Sequence, residues 1–292
     1  MQFEPVWGIP IALYLFLAGL GGGAFITSAF VAWKHPHAVT TRRIGHFIAP
    51  VVVAIGLVLL MVDAKGGLLN PWRFALLIHN VGSVMTWGVY FLAVFEVIAL
   101  VVAFLEIRKI DIPRWLDLVG VVFAVCVGAY TGCLLGVVKT YPLWNNAILP
   151  VLFLVSAVST GAAAVVLGSL IKAPQEAESL PALKRAHYWL PIVELVLVVA
   201  MLFIVNSSGD TAHATVSNLV AGSFAPAFWI AFVLAGLVLP AIIETFELFV
   251  NTGAPSRTLG MGSEAGVLIG GFALRALIVL AALPATIVVS FA

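Results

Sequence analysis

Charge is what this sequence has least of. Only 9% of its 292 residues are Asp, Glu, Lys or Arg, while 63% are hydrophobic. A soluble domain carries about a quarter charged residues. This chain has too few to cover a water-facing surface, so most of its exterior must meet lipid, and a mean hydropathy of +1.17 agrees. Long polar connections are missing too, which excludes a separate soluble domain, a nucleotide-binding site or a phosphate loop. With a net charge of +1 and no basic stripe, a nucleic-acid role has no support. Cysteine is nearly absent. Cys126 and Cys133 fall two turns apart on one helix, ~10 Å along its axis, too far for a disulfide. Two thiols also fall short of the four ligands an iron–sulfur cluster needs, so any electron reaching this chain must leave through another subunit.

Long apolar runs are what the sequence does have. Each membrane crossing takes roughly 20 apolar residues, and eight such runs are legible, at about 8–33, 44–64, 79–106, 115–137, 147–171, 188–207, 224–249 and 266–290. The expected fold class is therefore all-α, a polytopic membrane protein. No Lys or Arg precedes the first run, unlike a secretory signal. Of the 14 Lys and Arg, ten fall in the connections after runs 1, 3, 5 and 7; Lys65, Arg73 and Lys139 lie on the opposite side, and Arg275 lies within the last run. Positive residues favour the cytoplasm, so both termini are expected on the outer side. Gly19, Gly21, Gly22 and Gly23 sit mid-way along the first run and read as a close-packing face between helices.

Ionisable residues inside spans are costly and mark function by default. Asp63, His79, Tyr130 and Lys139 are expected in the outer third, on helices 2, 3 and 4 and just beyond. Glu194, Glu244 and Arg275 are expected in the inner half, on helices 6, 7 and 8, with Glu96 more than halfway across helix 3. A buried arginine requires a carboxylate, and Glu194 and Glu244 are the two expected at its depth, either as a structural clamp or as a proton path. Tyr130 lies about two turns short of its helix exit, where Gly128 and Gly132 are expected to leave space beside it. An apolar pocket with a few polar groups near the rim suits a long-tailed lipid-soluble ligand with a polar head. A quinone fits, with its carbonyls on a phenol and an imidazole or ammonium and Asp63 exchanging the proton. Haem does not fit: His46, His79, His187 and His213 all lie near span ends, whereas a buried haem needs axial ligands within the spans. No metal ligands are assigned, and His35 and His37 read as solvated. Lys139, Tyr141, Trp144 and Asn145 are expected to form an outer rim.

Four stretches, "WGIPIALYLFLAGLGGGAF" (Trp7 to Phe25), "MTWGVY" (Met85 to Tyr90), "YTGCLL…PLWNNAILPVLFLVSAVSTGAA" (Tyr130 to Ala163) and "GGFALRALIVLA" (Gly270 to Ala281), resemble the NrfD/PsrC family, membrane subunits of polysulfide, nitrite, tetrathionate and related respiratory enzymes. The resemblance implies two four-helix bundles, 1–146 with the quinone site and 147–292 with the buried charged cluster. It implies a subunit of the bacterial inner membrane that oxidises menaquinol or ubiquinol, or reduces the quinone, near the outer face. Its partners would be a ferredoxin-like iron–sulfur subunit and a catalytic, molybdopterin-type subunit on that face. The tyrosine of the YTG motif falls on Tyr130, the aspartate after helix 2 on Asp63, within "VDAKGG", and the buried arginine of the last helix on Arg275. At the mouth of helix 1, where relatives often carry His or Asn, this chain has Gln2, Glu4 and Trp7; His79 takes the second place at the quinone, with Trp7 and Lys139 expected to line the same site. The contrasting expectations are a secondary transporter or channel using Arg275 and its acids, and a structural anchor with a vestigial pocket.

Overall fold

A computed structural model describes residues 7–63, 80–246 and 256–285. Among them are eight helices long and apolar enough to cross a membrane, and no strand. They are α1 (Ile9–Lys34), α2 (Val39–Asp63), α3 (Val84–Arg108), α4 (Arg114–Gly136), α5 (Ile148–Lys172), α6 (Pro181–Asn206), α7 (Ala227–Thr245) and α8 (Arg257–Leu280). The chain is a multi-pass membrane protein. Helices are the expected solution because lipid offers the backbone no hydrogen-bonding partner, so every N–H and C=O within a span must bond internally. That requirement also keeps α2 and α6 helical through Pro50 and Pro191.

Successive spans alternate in direction, so the bundle has a Trp7 end and a Lys34 end. Exposed Trp33, Trp115 and Trp189 mark the Lys34 end, and Trp87 and Trp229 the other. Such belts sit at the two lipid–water interfaces. A second order appears in burial: 72% of the apolar stretch of α1 is buried, against 33% for α2 and α3 and 28% for α6 and α7, so α1 is the central post and the others face lipid. α1 packs on α2, α4, α5 and α8; α3 bridges α2 and α4, and α7 bridges α6 and α8.

Between helices in lipid there is no hydrophobic driving force, and close approach through small residues takes its place. The glycine run of α1 does this toward four neighbours at once. A Cβ at Gly21 would meet Val53 and Ala49 of α2, at Gly22 the Ala124 carbonyl of α4, at Gly23 the backbone of Ala157 and Gly161 of α5, and at Gly19 the Arg275 guanidinium of α8. The packing reading of these glycines holds. Gly236 and Gly270 make a similar crossing of α7 with α8.

Helix ends depart from the expected ones. The last helix runs from Arg257 to Leu280, about nine residues earlier than the hydropathy placed it, and α6 begins at Pro181 instead of 188. Hydropathy marks the lipid-covered stretch, while a helix continues past it wherever propensity allows. Arg257–Glu264 and Pro181–His187, read as connection, are helical rims at the Lys34 end. Three features were not foreseen: a one-turn helix Pro174–Glu178, a helix Asp210–Val220 at the Trp7 end, and a wide π-type winding over Ala227–Val238 in α7.

Candidate functional site

At the Trp7 end three helices converge on Tyr130. It lies on α4, 5% exposed, and its hydroxyl is hydrogen-bonded to that of Tyr14 on α1, itself 1% exposed. Tyr14 stands five residues into α1 and Tyr130 six residues before the end of α4, so at ~1.5 Å per residue both lie ~8–9 Å from the same ends. The third wall is Gly88 of α3, against which the Tyr130 ring lies so closely that a Cβ there would overlap the phenol. Thr131 does not join the pair, since its hydroxyl donates to the Gly128 carbonyl of its own helix at 2.7 Å.

Two hydroxyls that share one hydrogen bond have one hydrogen left to donate. The Tyr14–Tyr130 pair is therefore a buried donor at one end of the bundle, with further acceptor capacity on its oxygens. Gly128 and Gly132 do not provide the space beside it. Gly128 abuts Leu154 and Ala157, and Gly132 abuts the backbone of Leu149 and Pro150, so both are helix–helix contacts between α4 and α5. Gly88 is the glycine that makes room for the phenol. Asp63 is the last residue of α2, half-buried at the same end. His79 and the connection 65–78 lie outside the described residues.

The rim reading needs correcting. Lys139 and Asn145 are exposed, but Trp144 is 2% and Tyr141 7% exposed. Trp144 stacks between Tyr141, at 4.1 Å, and Trp7, at 5.2 Å, and its indole N–H donates to the Ile278 carbonyl of α8 at 2.7 Å. A tryptophan after a membrane helix reads as an interfacial anchor; here it ties the α4–α5 connection to α8. The neighbouring asparagines serve helix ends. The Asn145 amide donates to the Gly136 carbonyl at 2.6 Å, and the Asn146 side chain accepts from the Ile148 N–H at 2.8 Å.

The second cluster lies in the interior. Arg275 of α8 is 0% exposed, and its guanidinium donates to Ser156 Oγ at 2.9 Å and to the carbonyls of Gly271 at 3.0 Å and Phe153 at 3.3 Å. The Phe153 and Phe16 rings lie 5.2 and 5.9 Å from its carbon. Glu194 of α6 is hydrogen-bonded to the same Ser156 and interacts electrostatically with Arg275. Ser156 thus bridges cation and carboxylate, a role the sequence reading missed. Its signal was a small hydroxyl on α5 opposite a buried arginine. Arg275 is not at the expected depth, since it stands 18 residues after Arg257, near the Trp7-side end of α8. Glu96 is mid-way along α3, a helix that packs on α2 and α4 and not with the Arg275 group.

Glu244 is not a partner of Arg275. It belongs to a third group at the Lys34 end, where His187 Nε2 lies 3.4 Å from Glu244 Oε1 and 2.8 Å from Glu264 Oε2. Also at this end, Glu106 of α3 accepts from Arg42 at 2.7 and 3.0 Å and from Arg43 at 3.0 Å, with His46 Nδ1 at 3.1 Å. This network clamps α2 to α3 and gives His46 a structural task. An apolar groove of about 400 Å³ runs between α6 and α7, lined by Pro191, Leu195, Leu237, Ile242, Thr245 and Phe246. It suits an acyl chain and has little with which to orient a polar head.

Comparison with known proteins sharpens this picture. Residues 1–286 match the family model described as polysulphide reductase, NrfD. The sequence is 32% identical to the membrane-family relative named as the C chain of polysulfide reductase from Wolinella succinogenes, over 82% of this protein and 83% of that one. It is 31% identical to protein NrfD of Escherichia coli, over 92% of each protein. It is 30% identical to an NrfD homolog of Haemophilus influenzae, over 82% of this protein and 84% of that one.

Proposed function

The chain belongs to the polysulphide reductase NrfD family, and from this premise we propose that it is the quinol-oxidising (or quinone-reducing) membrane subunit of a respiratory reductase complex in the bacterial inner membrane. The observation that carries the reading is the buried Tyr14–Tyr130 pair at the Trp7 end, walled by Gly88. The charge bias of the connections supports taking this as the outer end.

A quinol head entering between the helices from lipid presents two hydroxyls. Tyr130, oriented by Tyr14, hydrogen-bonds one of them and holds the ring. Oxidation to quinone releases two protons and two electrons. Asp63, the last residue of α2, and His79, in the sequence that follows, take the protons toward water. The electrons pass to an iron–sulfur centre in a partner docked on the Trp7 end, because this chain's two thiols sit apart on α4 and cannot build one. Run in reverse, the same groups deliver protons to a quinone. The polysulfide reductase relative is by its name one lettered component of that enzyme, which supports an assembly with further subunits. A molybdopterin-type catalytic subunit is the partner that completes the reaction.

Proton coupling is the second part of the proposal. Glu194, held at Ser156 beside Arg275, is the interior carboxyl whose charge responds to the site, because a buried arginine and acid bridged by one hydroxyl are electrostatically coupled in low dielectric. Solubilising the complex from native membranes tests the assignment. A copurifying iron–sulfur protein whose clusters are reduced by menaquinol, seen by electron paramagnetic resonance, is the expected result. A protein that purifies with no such partner, or clusters that menaquinol leaves oxidised, overturns it.

A further inference from the structure

His187, Glu244 and Glu264 come from three different helices, α6, α7 and α8, and the ligand atoms they offer all lie within 4.8 Å of one another. Neither the quinone site nor the Arg275 network uses them. His187 is 3% and Glu264 5% exposed, and Glu244 is half-buried beside them, so an imidazole and two carboxylates are gathered largely out of water at the Lys34 end. The contact between His187 Nε2 and Glu264 Oε2 is 2.8 Å long, yet it is not an aligned hydrogen bond.

We propose that this cluster is a binding site for a first-row divalent cation, of which zinc is the best match, and that the ion ties the Lys34 ends of α6, α7 and α8 together. A tetrahedral ion with bonds of ~2.1 Å has donor–donor edges of ~3.4 Å. Of the two edges from Nε2, the 3.4 Å one to Glu244 matches that value, and the 2.8 Å one to Glu264 widens by about 0.6 Å to admit the ion. Charge gives a second argument. Among these three side chains, a neutral imidazole, two carboxylates and a divalent cation sum to zero charge. In an apolar setting the neutral sum is favoured. One nitrogen and two carboxylate oxygens, with no thiolate, select zinc, manganese or ferrous iron over soft ions such as cuprous copper. Water completes the fourth position at a site with three protein ligands.

This inference is independent of the quinol reading, and its test needs no turnover. The full chain, purified without a histidine tag and stripped with a chelator in lipid nanodiscs, is titrated with Zn²⁺ while metal content and Tm are followed. Cobalt then serves as the optical probe. The expected results are one saturable zinc per protein, a rise in Tm on zinc addition, and a cobalt spectrum of the intense four-coordinate type. Glu264→Gln and Glu244→Gln should each weaken zinc binding by about 10-fold or more, while Glu176→Gln, outside the spans, leaves it unchanged. No saturable zinc on the wild-type protein, a Tm indifferent to zinc, or a weak hydrated-ion cobalt spectrum overturns the site. Should either variant fail to fold, those three wild-type readings decide alone.

Discussion

Replacing Tyr130 by phenylalanine removes one oxygen and leaves the ring against Gly88, so it isolates the hydroxyl. Two effects follow, and they separate. Within the protein, the buried hydroxyl of Tyr14, 1% exposed, loses its partner, and an unsatisfied buried donor costs about 1–3 kcal/mol of stability. At the quinol, the head loses the group that holds it as charge develops, and removing such a donor costs about 2.7–4 kcal/mol, or roughly 10²–10³-fold in kcat. Quinol oxidation by the intact complex should therefore fall by about two orders of magnitude while the complex still assembles. Tyr14→Phe also breaks the pair but leaves the Tyr130 hydroxyl in place, so its loss of activity should be smaller. In the double variant both partners are gone, which restores stability toward wild type but not turnover. Steady-state rates with a soluble menaquinol analogue, beside Tm for the three variants, give both readings. Wild-type turnover in Tyr130→Phe, or equal losses in the two single variants, would refute the reasoning.

Other expectations follow from the same geometry. Gly88→Ala places a methyl on the Tyr130 ring, so it should displace the phenol, cost about 1–3 kcal/mol as an overpacked contact and lower turnover without touching the hydroxyl itself; an unchanged rate would mean that the position of Tyr130 is irrelevant. Glu194→Gln keeps shape and its bond to Ser156 but removes the charge facing Arg275. Charge moved per electron in liposomes should drop while quinol oxidation persists, and an unchanged ratio leaves Glu194 a clamp. Glu106→Gln removes the carboxylate that Arg42, Arg43 and His46 share, which should lower Tm by the equivalent of about 1–3 kcal/mol and spare the quinol rate.

Much of this was open to sequence reasoning, and the failures have physical causes. Eight spans were legible because a lipid-covered helix must be apolar over a fixed length. Their ends were not, because the helix outlasts its apolar stretch. That one error put Arg275 nine residues into α8 and left Glu264 in a connection, hiding its meeting with His187 and Glu244. Tyr130 stood out among small residues in an interior stretch. Tyr14, in "IALYLFLAG", reads as an ordinary interfacial tyrosine until its depth is matched to Tyr130 from the same end. Trp144 misled in the opposite direction: two asparagines follow it at the end of an apolar run, and only the fold reveals that the Ile278 carbonyl of α8 receives its N–H. The π-type winding of α7 leaves no periodicity by which a uniformly apolar run could show it.

The central claim is that a quinol head docks at the phenol pair near the Trp7 end. A photoreactive azidoquinone, irradiated on the intact complex with and without excess menaquinol, tests this most directly. The account predicts label on peptides carrying Tyr14, Gly88 or Tyr130, suppressed by menaquinol. Label confined to the α6–α7 groove around Pro191, Ile242 and Phe246, or indifferent to menaquinol, would contradict it.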